Sequence, residues 1–171
     1  MIQRPTLSTQ RIALIVDDIE DNRVLLARAL KSSGYATIMA SSGREALAII
    51  TEKAPDIVLL DWMMPELSGL ETLRAIREMH PSSHLPVIMC TAVDEEMSVV
   101  AAINAGANDY VTKPISLPIL RARMAVHLEQ RATIDALDHE KASAEQKLRE
   151  QTRALFNRGG NSASSSTGGG E

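Results

Sequence analysis

Short apolar runs rich in β-branched residues recur along the chain, and longer segments with helical spacing separate them. Within each run the apolar residues are consecutive rather than alternating with polar ones. Such continuity is typical of strands that are covered on both faces. The pattern predicts five strands of a parallel sheet, at residues 12–17, 35–40, 56–61, 86–91 and 108–112.

The segments between these runs predict helices. In the first segment, apolar residues recur on one helical face. Ser42 and Ser68 begin the second and third helices, because each stands three residues before a glutamate, which is the sequence of a capping box. The fourth helix is predicted over 94–105, just before Gly106, a frequent residue beyond helix C termini. The fifth helix begins near Ser116.

Five strands that alternate with five helices predict an α/β fold with right-handed crossovers and helices on both faces of the sheet. The expected architecture is a doubly wound (βα)5, flavodoxin-like parallel sheet with strand order 2-1-3-4-5. The first and third strands are then neighbours. Functional side chains in such sheets lie beyond the carboxyl ends of the strands.

The fifth helix is predicted to continue well beyond the sheet. No glycine or proline interrupts residues 119–157, a length on the order of 55 Å and about twice what the sheet can cover. We therefore expect a compact domain over 11–128 and an extended helix over 129–157. A flexible N-terminal arm at 1–10 and a disordered Gly/Ser tail at 158–171 complete the predicted organisation.

Two interpretations of the extended helix remain open. A coiled coil is favoured by apolar residues at heptad spacing, but polar residues interrupt the stripe; the alternative is a solvated single helix, which is marginal in water. The first heptad position holds Leu120, Ile134, Leu148 and Leu155, its partner position holds Leu137 and Ala144, and the interruptions are His127, Gln130, Lys141 and Gln151.

Composition narrows the classes of function. The net charge is −4 and aromatic residues make up only 2%, which argues against nucleic-acid binding through phosphates or base stacking. The single cysteine, Cys90, excludes an internal disulfide and a multi-cysteine zinc site. No apolar run reaches membrane-spanning length and the N terminus lacks a signal-peptide pattern, so we expect a cytoplasmic protein with no membrane contact.

Charged and polar side chains stand at the carboxyl ends of the predicted strands. If the first and third strands are adjacent, these groups meet at one edge of the sheet. Two carboxylates about 4 Å apart repel by roughly 4 kcal/mol at an effective dielectric of about 20, so a hard cation such as Mg²⁺ suits the site. The residues are Asp17 and Asp18 after the first strand, Asp61 at the end of the third, Thr91 at the end of the fourth and Lys113 after the fifth.

Asp61 occupies the centre of this predicted cluster, because its strand lies between the first and fourth strands. A carboxylate can act as a nucleophile toward phosphorus and form an aspartyl phosphate. A metal ion, the Lys113 ammonium and the Thr91 hydroxyl would stabilise the phosphoryl group. Asp17 and Asp18 are better placed to hold the metal.

Taken together and in this order, the motifs resemble the receiver domain of two-component response regulators over residues 11 to about 128. The matching residues are Asp17-Asp18 with Asn22-Arg23, Asp61-x-x-Met64-Pro65 with Gly69, Thr91-Ala92, Gly106-Ala107-x-Asp109-Tyr110 and Lys113-Pro114.

The resemblance implies a phosphorylation-activated signalling switch with Mg²⁺ as its cofactor. Asp61 would accept a phosphoryl group from the phosphohistidine of a sensor histidine kinase or histidine phosphotransfer protein. Asp18, Asp61 and the backbone carbonyl of Met63 would bind the metal directly, with Asp17 acting mainly through water.

The resemblance also assigns the remaining site residues. Thr91 and Lys113 would contact the phosphoryl group, and Tyr110 matches an aromatic that changes rotamer when Thr91 moves. The Lys113-Pro114 bond matches a cis peptide of the family. Output would pass through the face formed by the fourth helix, fifth strand and fifth helix and through the long helix, with homodimerisation as one form and a downstream effector that the sequence does not identify.

Two other functions compete with the switch. A receiver that has lost its chemistry would serve only as a docking module, and the intact acceptor, acid pair, threonine and lysine argue against this. A phosphohydrolase with an aspartate nucleophile would need a second acidic residue two positions after Asp61. That position holds Met63, which argues against this function. Because Met63 and Val93 are both apolar, we expect the phosphoryl group to be long-lived.

Overall fold

The computed structural model of the chain describes residues 10–92 and 96–160. Residues 1–9 of the predicted arm, Val93 and residues 161–171 of the predicted tail lie outside the described residues. Residues 158–160, which were predicted as the start of the tail, belong instead to the last helix. Strands β1 to β5 and helices α1 to α5 alternate along the chain: β1 Ile12–Val16, α1 Glu20–Ser32, β2 Ala36–Ala40, α2 Gly43–Lys53, β3 Ile57–Asp61, α3 Gly69–Met79, β4 Val87–Ala92, α4 Glu96–Asn104, β5 Asp109–Lys113 and α5 Leu117–Gly160.

The five strands form one parallel sheet in the order β2-β1-β3-β4-β5, which confirms the predicted topology. Each strand bound lies within one residue of the bound predicted from the apolar run. β1 pairs with β3 from Ala13↔Ile57 to Val16↔Leu60, and β3 pairs with β4 as far as Asp61↔Cys90. The carboxyl ends of β1, β3 and β4 therefore meet at the same edge.

Each face of the sheet is covered by its own hydrophobic cluster, because successive strand residues point to opposite sides. Ile15 and Leu59 belong to the cluster that α1 and the first part of α5 cover, whereas Leu14 and Leu60 belong to the cluster under α2, α3 and α4. All four side chains are at most 1% exposed. This two-sided burial explains why the strands read as unbroken apolar runs.

The two predicted capping boxes have different outcomes. At α3, Ser68 and Glu71 cap each other's backbone N–H groups, as the sequence predicts. At α2, Ser42 accepts from the backbone N–H of Glu45, but the Glu45 carboxylate accepts from the backbone N–H and hydroxyl of Ser41 instead. The expectation of a full capping box at Ser42 was therefore wrong, because the preceding residue offers Glu45 two donors.

A compact unit of the chain ends at Ala132, within α5. Met124 and Leu128 are buried against the sheet. Beyond them, Arg131 donates from its Nη1 to the carbonyl oxygens of Asp56 at 2.7 Å and Pro55 at 3.1 Å. These contacts attach one further turn of α5 to the loop before β3.

The second unit begins at Thr133, and its described residues form the remainder of α5. Its apolar side chains are exposed, with Leu137 at 59%, Leu148 at 64% and Leu155 at 69%. The helical prediction for this segment is confirmed. The coiled coil stays a prediction.

Candidate functional site

Three carboxylates converge at the carboxyl edge of the sheet. Asp17 and Asp18 directly follow β1, and Asp61 is the last residue of β3. One carboxylate oxygen from each lies within 4.8 Å of the other two. Asp17 and Asp61 are only 3% and 4% exposed, whereas Asp18 is exposed to solvent. The convergence predicted from the strand ends is therefore present.

Lys113, the last residue of β5, supplies the positive charge of the site. Its Nζ lies 2.7 Å from Oδ1 of Asp61 and 3.1 Å from Oδ2 of Asp17. The Lys113–Pro114 peptide is cis, as the resemblance implied. One ammonium is thus shared between two buried carboxylates.

This sharing leaves the site with an excess of negative charge. Burial raises the pKa of Asp61, and the nearby charges of Asp17 and Asp18 add to the rise, while Lys113 offsets only part of it. Burial alone would lower the pKa of Lys113, but its hydrogen bonds to the two carboxylates outweigh burial and raise that pKa. A divalent cation with oxygen ligands fits such a cluster, and Mg²⁺ is the hard cation expected there.

Asp17 is held in place by contacts that the sequence pattern did not predict. The Asn22 amide donates to both Asp17 carboxylate oxygens, at 3.2 and 3.1 Å, and the backbone N–H of Ile19 donates at 2.9 Å. Arg23 donates to the Asp17 carbonyl oxygen at 2.6 Å. Because these contacts occupy Asp17, the exposed Asp18 is the more available metal ligand.

Thr91 and Tyr110 lie on β4 and β5, the two strands on the side of β3 that is opposite to β1. Thr91 follows Cys90, the β4 partner of Asp61, and is 7% exposed, with its hydroxyl donating to the Ala92 carbonyl oxygen at 3.2 Å. Tyr110 is half-buried against the cluster under α2, α3 and α4. The Arg123 guanidinium of α5 lies 5.9 Å from its ring centroid.

The loop that follows Asp61 folds back, so that Gly69 lies against the end of β3. The Gly69 backbone N–H donates to the Trp62 carbonyl oxygen at 3.0 Å. A Cβ at Gly69 would lie 2.1 Å from the Asp61 carbonyl oxygen. Within this loop Met63 is 72% exposed. The sequence marked Gly69 only as part of a motif, whereas the structure shows that it lets the backbone pass directly against the acceptor candidate.

Comparison with protein families agrees with this geometry. The family model for the response regulator receiver domain matches residues 13–125. The chain belongs to this family. A receiver domain is not an enzyme in the ordinary sense, as the sequence led us to expect. The acidic cluster of Asp17, Asp18 and Asp61 lies at the family's phosphorylation site.

Known regulators share this receiver domain. The phosphate regulon transcriptional regulatory protein PhoB of Pseudomonas aeruginosa is 39% identical over 117 residues, which cover 68% of this chain and 51% of that protein. The response regulator MprA of Mycolicibacterium vanbaalenii is 44% identical over 117 residues, covering 68% of this chain and 50% of the relative. The chain thus spans about half the length of the curated relatives it matches.

Solved receiver structures have the same fold. A putative response regulator from Chloroflexus aurantiacus is 34% identical with a TM-score of 0.67, and the match covers 71% of this chain and 99% of that one. A CheY-like receiver domain protein from Methanospirillum hungatei is 26% identical with a TM-score of 0.68, covering 73% and 98%. Among the described residues of the present receiver, no helix is long and apolar enough to cross a membrane.

Proposed function

We propose that this receiver is a phosphorylation-activated signalling switch in which Asp61 accepts a phosphoryl group from a sensor histidine kinase or a histidine phosphotransfer protein. One observation carries the proposal. Asp61 ends the central strand of the acidic edge, with the Lys113 ammonium 2.7 Å away and the carboxylates of Asp17 and Asp18 close by. In the transfer, an Asp61 oxygen bonds to phosphorus as the bond from phosphorus to the donor nitrogen breaks.

Each site residue receives a role in this scheme. Asp18, Asp61 and the Met63 backbone carbonyl would hold Mg²⁺, and Asp17, already engaged by Asn22 and Lys113, would act through water. The metal supplies positive charge against the phosphoryl oxygens when it is bound. The Lys113 ammonium, which balances the Asp61 carboxylate before transfer, pairs with the phosphoryl group afterwards.

The Thr91 hydroxyl is proposed to donate to the phosphoryl group. Its present hydrogen bond to the Ala92 carbonyl oxygen would then break. Movement of Thr91 makes room for Tyr110 to change rotamer. Tyr110 reaches α5 through the guanidinium of Arg123, which also pairs with the Asp109 carboxylate. Although burial alone would raise the pKa of Asp109, Arg123 and the backbone N–H of Tyr110 outweigh it and hold that pKa below its usual range, so this carboxylate stays charged. In this proposal, Thr91, Tyr110 and Arg123 together transmit the change at the phosphorylation site to the face formed by α4, β5 and α5.

A cavity beside the site supports the approach of a donor protein from the α1 side. It has a volume of about 300 Å³ and combines polar groups of the site with apolar walls. Leu25, on its wall, is 66% exposed. An apolar side chain of the donor can enter here while its phosphohistidine faces Asp61. The lining residues are Asp17, Asn22, Leu25, Leu26, Lys113, Pro114, Ile115 and Leu117.

Output is proposed to pass through the α4–β5–α5 face and the extended helix, in a homodimer or toward a downstream effector. Val100 and Ile103 of α4 are 56% and 48% exposed, which supports a contact surface there. Membership of the receiver family supports a cytoplasmic location. Phosphorylation shifts a two-state equilibrium of this face rather than creating a new structure.

Labelling with a small phosphodonor tests the proposed function. Incubated with a small acyl phosphate and Mg²⁺, the chain is expected to take up phosphate into a base-labile linkage, and chelation of the metal is expected to stop uptake. Mg²⁺ should quench Trp62 emission, because Trp62 follows the acceptor directly. In Asp18→Asn we expect the Mg²⁺ concentration for half-maximal quenching to rise at least about tenfold. No labelling despite normal Mg²⁺ binding would favour the docking module instead.

Met63 is expected to prolong the life of the phosphoryl group. Its exposed thioether side chain follows Asp61 by two residues and offers an attacking water no strong hydrogen-bond partner. Met63→Asn supplies such a partner, so we expect its phosphoryl decay to be about tenfold faster. Decay is followed after removal of donor, with Met63→Leu as the apolar control. A slower decay in Met63→Asn than in Met63→Leu would contradict the expectation.

A further inference from the structure

Met63 is the most exposed methionine among those whose side chains the structure describes. It is 72% exposed, whereas Met79 is 48% and Met39 is 42% exposed. Met89 and Met124 are fully buried. A thioether is soft and polarisable, and peroxides oxidise it to a sulfoxide where they can reach it. Met63 is therefore the described methionine that a peroxide in solution reaches most easily.

The packing of the acceptor loop explains this exposure. Trp62 and Met64, on either side of Met63, pack against the hydrophobic cluster under α2, α3 and α4. The Gly69 backbone N–H closes the loop by donating to the Trp62 carbonyl oxygen at 3.0 Å. Both neighbours are thereby held against the receiver, while the Met63 thioether extends into solvent two residues after Asp61.

A second sulfur group near the site is protected from oxidation. Cys90 pairs with Asp61 across β3 and β4, but it is only 3% exposed. Burial raises the pKa of its thiol to about 12, so the thiolate, which is the form that peroxides oxidise, is scarce at neutral pH. A peroxide that approaches the acceptor from solvent therefore meets the Met63 sulfur before the Cys90 sulfur.

We propose that Met63 is a peroxide-sensitive modification site and that its oxidation shortens the life of the phosphoryl group on Asp61. The inference rests on the proposed function and deepens it, because it adds a chemical signal that ends the phosphorylated state. In the oxidation, the thioether sulfur donates an electron pair to one peroxide oxygen. The S–O bond forms as the O–O bond breaks, so that methionine is oxidised to the sulfoxide and hydrogen peroxide is reduced to water.

The sulfoxide oxygen changes what an attacking water finds beside Asp61. A thioether is a weak acceptor, whereas the polar S–O group accepts a strong hydrogen bond. A water that donates to this oxygen is better oriented and more nucleophilic toward phosphorus. Its oxygen bonds to phosphorus as the bond from phosphorus to Asp61 breaks, and the proton that the water gives up passes to solvent. The products are free phosphate and the Asp61 carboxylate.

Partial oxidation of the full chain tests the proposal. The chain is treated with hydrogen peroxide, freed of it, labelled with a small acyl phosphate and Mg²⁺, and freed of the donor. Peptide mapping measures the fraction of chains oxidised at Met63, and we expect this residue to react ahead of Met79 and Met39. Decay of the phosphoryl group, followed by intact mass spectrometry, is expected to gain a phase about tenfold faster, with an amplitude equal to that fraction.

Two variants assign the fast phase to Met63. Met63→Leu keeps an apolar side chain of similar size but has no sulfur, so its decay is expected to be the same before and after peroxide. Met79 is the last residue of α3, about 15 Å along that helix from Gly69. Met79→Leu is therefore expected to keep the fast phase. Methionine sulfoxide reductases with a dithiol are expected to remove this phase from the oxidised chain.

The affinity for Mg²⁺ distinguishes a change at the thioether from a distorted loop. The proposed ligand at residue 63 is the backbone carbonyl, which oxidation of the side chain leaves intact. The Mg²⁺ concentration for half-maximal quenching of Trp62 is therefore expected to stay within about twofold of its value before oxidation. A large rise together with faster decay would mean that oxidation disrupts the metal site, which overturns the role of the sulfoxide oxygen.

The remaining outcomes separate this inference from the function on which it rests. Equal decay before and after complete oxidation of Met63 would overturn the inference and leave the switch intact. A fast phase in oxidised Met63→Leu would place the sensitive residue elsewhere, and slower oxidation of Met63 than of Met79 would contradict its accessibility. Absence of labelling in the untreated chain would instead overturn the proposed function, and the inference with it.

Discussion

Asp61→Asn is expected to abolish phosphate uptake from a small acyl phosphate in the presence of Mg²⁺. Asparagine keeps the shape of the side chain but removes the charged oxygen that bonds to phosphorus. We do not expect Asp17 to substitute, because the Asn22 amide and the backbone N–H of Ile19 already donate to its carboxylate. Uptake is measured by mass spectrometry of the intact chain, with Asp21→Asn, on the exposed start of α1, as the carboxylate control. Full labelling of Asp61→Asn would show that another residue is the acceptor.

Loss of uptake in this variant is not expected to come from unfolding. Burial raises the pKa of Asp61 in the folded chain. A group with a raised folded pKa contributes stability below its unfolded pKa, and that contribution is lost as pH rises through the folded pKa. At neutral pH the charged Asp61 therefore opposes folding in the absence of metal. Without Mg²⁺, Asp61→Asn should unfold at the same temperature as the unsubstituted chain or at a higher one.

The fold could be predicted because its strands are buried on both faces. Leu14 and Ile15 point to opposite clusters yet are both fully buried, so the sequence shows an unbroken apolar run. The convergence of Asp17, Asp61 and Lys113 could be predicted as well, since parallel strands bring their carboxyl ends to one edge. The predicted strand order and the residues at the strand ends were together sufficient to predict that these three side chains meet.

The contacts that orient the site could not be predicted from the same pattern. Asn22 is one polar residue among many on α1, and only the turn after β1 brings its amide to Asp17. The spacing of apolar and polar residues does not predict the conformation of this turn. The family motif marks Asn22 as a matching residue, but its partner follows only from the folded backbone.

The contacts of Arg77, which lies outside the site, could not be predicted from the sequence pattern either. In a helical pattern, a charged residue predicts a solvated position. Here the Arg77 guanidinium donates to the carbonyl oxygens of Leu85 and Gly106 and to the Asn108 side chain, and burial lowers its pKa to about 10. These partners come from separate loops, so their meeting depends on the packing of α3 against the rest of the receiver.

Gly69→Ala is expected to destabilise the receiver by about 3 kcal/mol, because an added methyl group has no room. Its Cβ would lie 2.1 Å from the Asp61 carbonyl oxygen and 2.9 Å from the Trp62 Cα, and both of these are backbone atoms where β3 ends. The backbone must move, and Asp61 moves with it. We therefore expect slower phosphate uptake in addition to a lower urea midpoint of unfolding.

Gly43→Ala is the matched control for this substitution. Gly43 and Gly69 are each the first residue of a helix, after a serine that accepts from a glutamate N–H, so alanine changes the intrinsic helix preference equally. The three atoms nearest to a Cβ at Gly43 all belong to the side chains of Thr72 and Leu67, so a side-chain rotation that gives up the Thr72 hydrogen bond to the Ser68 carbonyl oxygen can relieve the contact without a backbone shift. We expect its cost to be about 1 kcal/mol, with phosphate uptake unchanged. Equal losses of stability in the two variants would mean that the close approach of Gly69 to Asp61 does not constrain the acceptor loop.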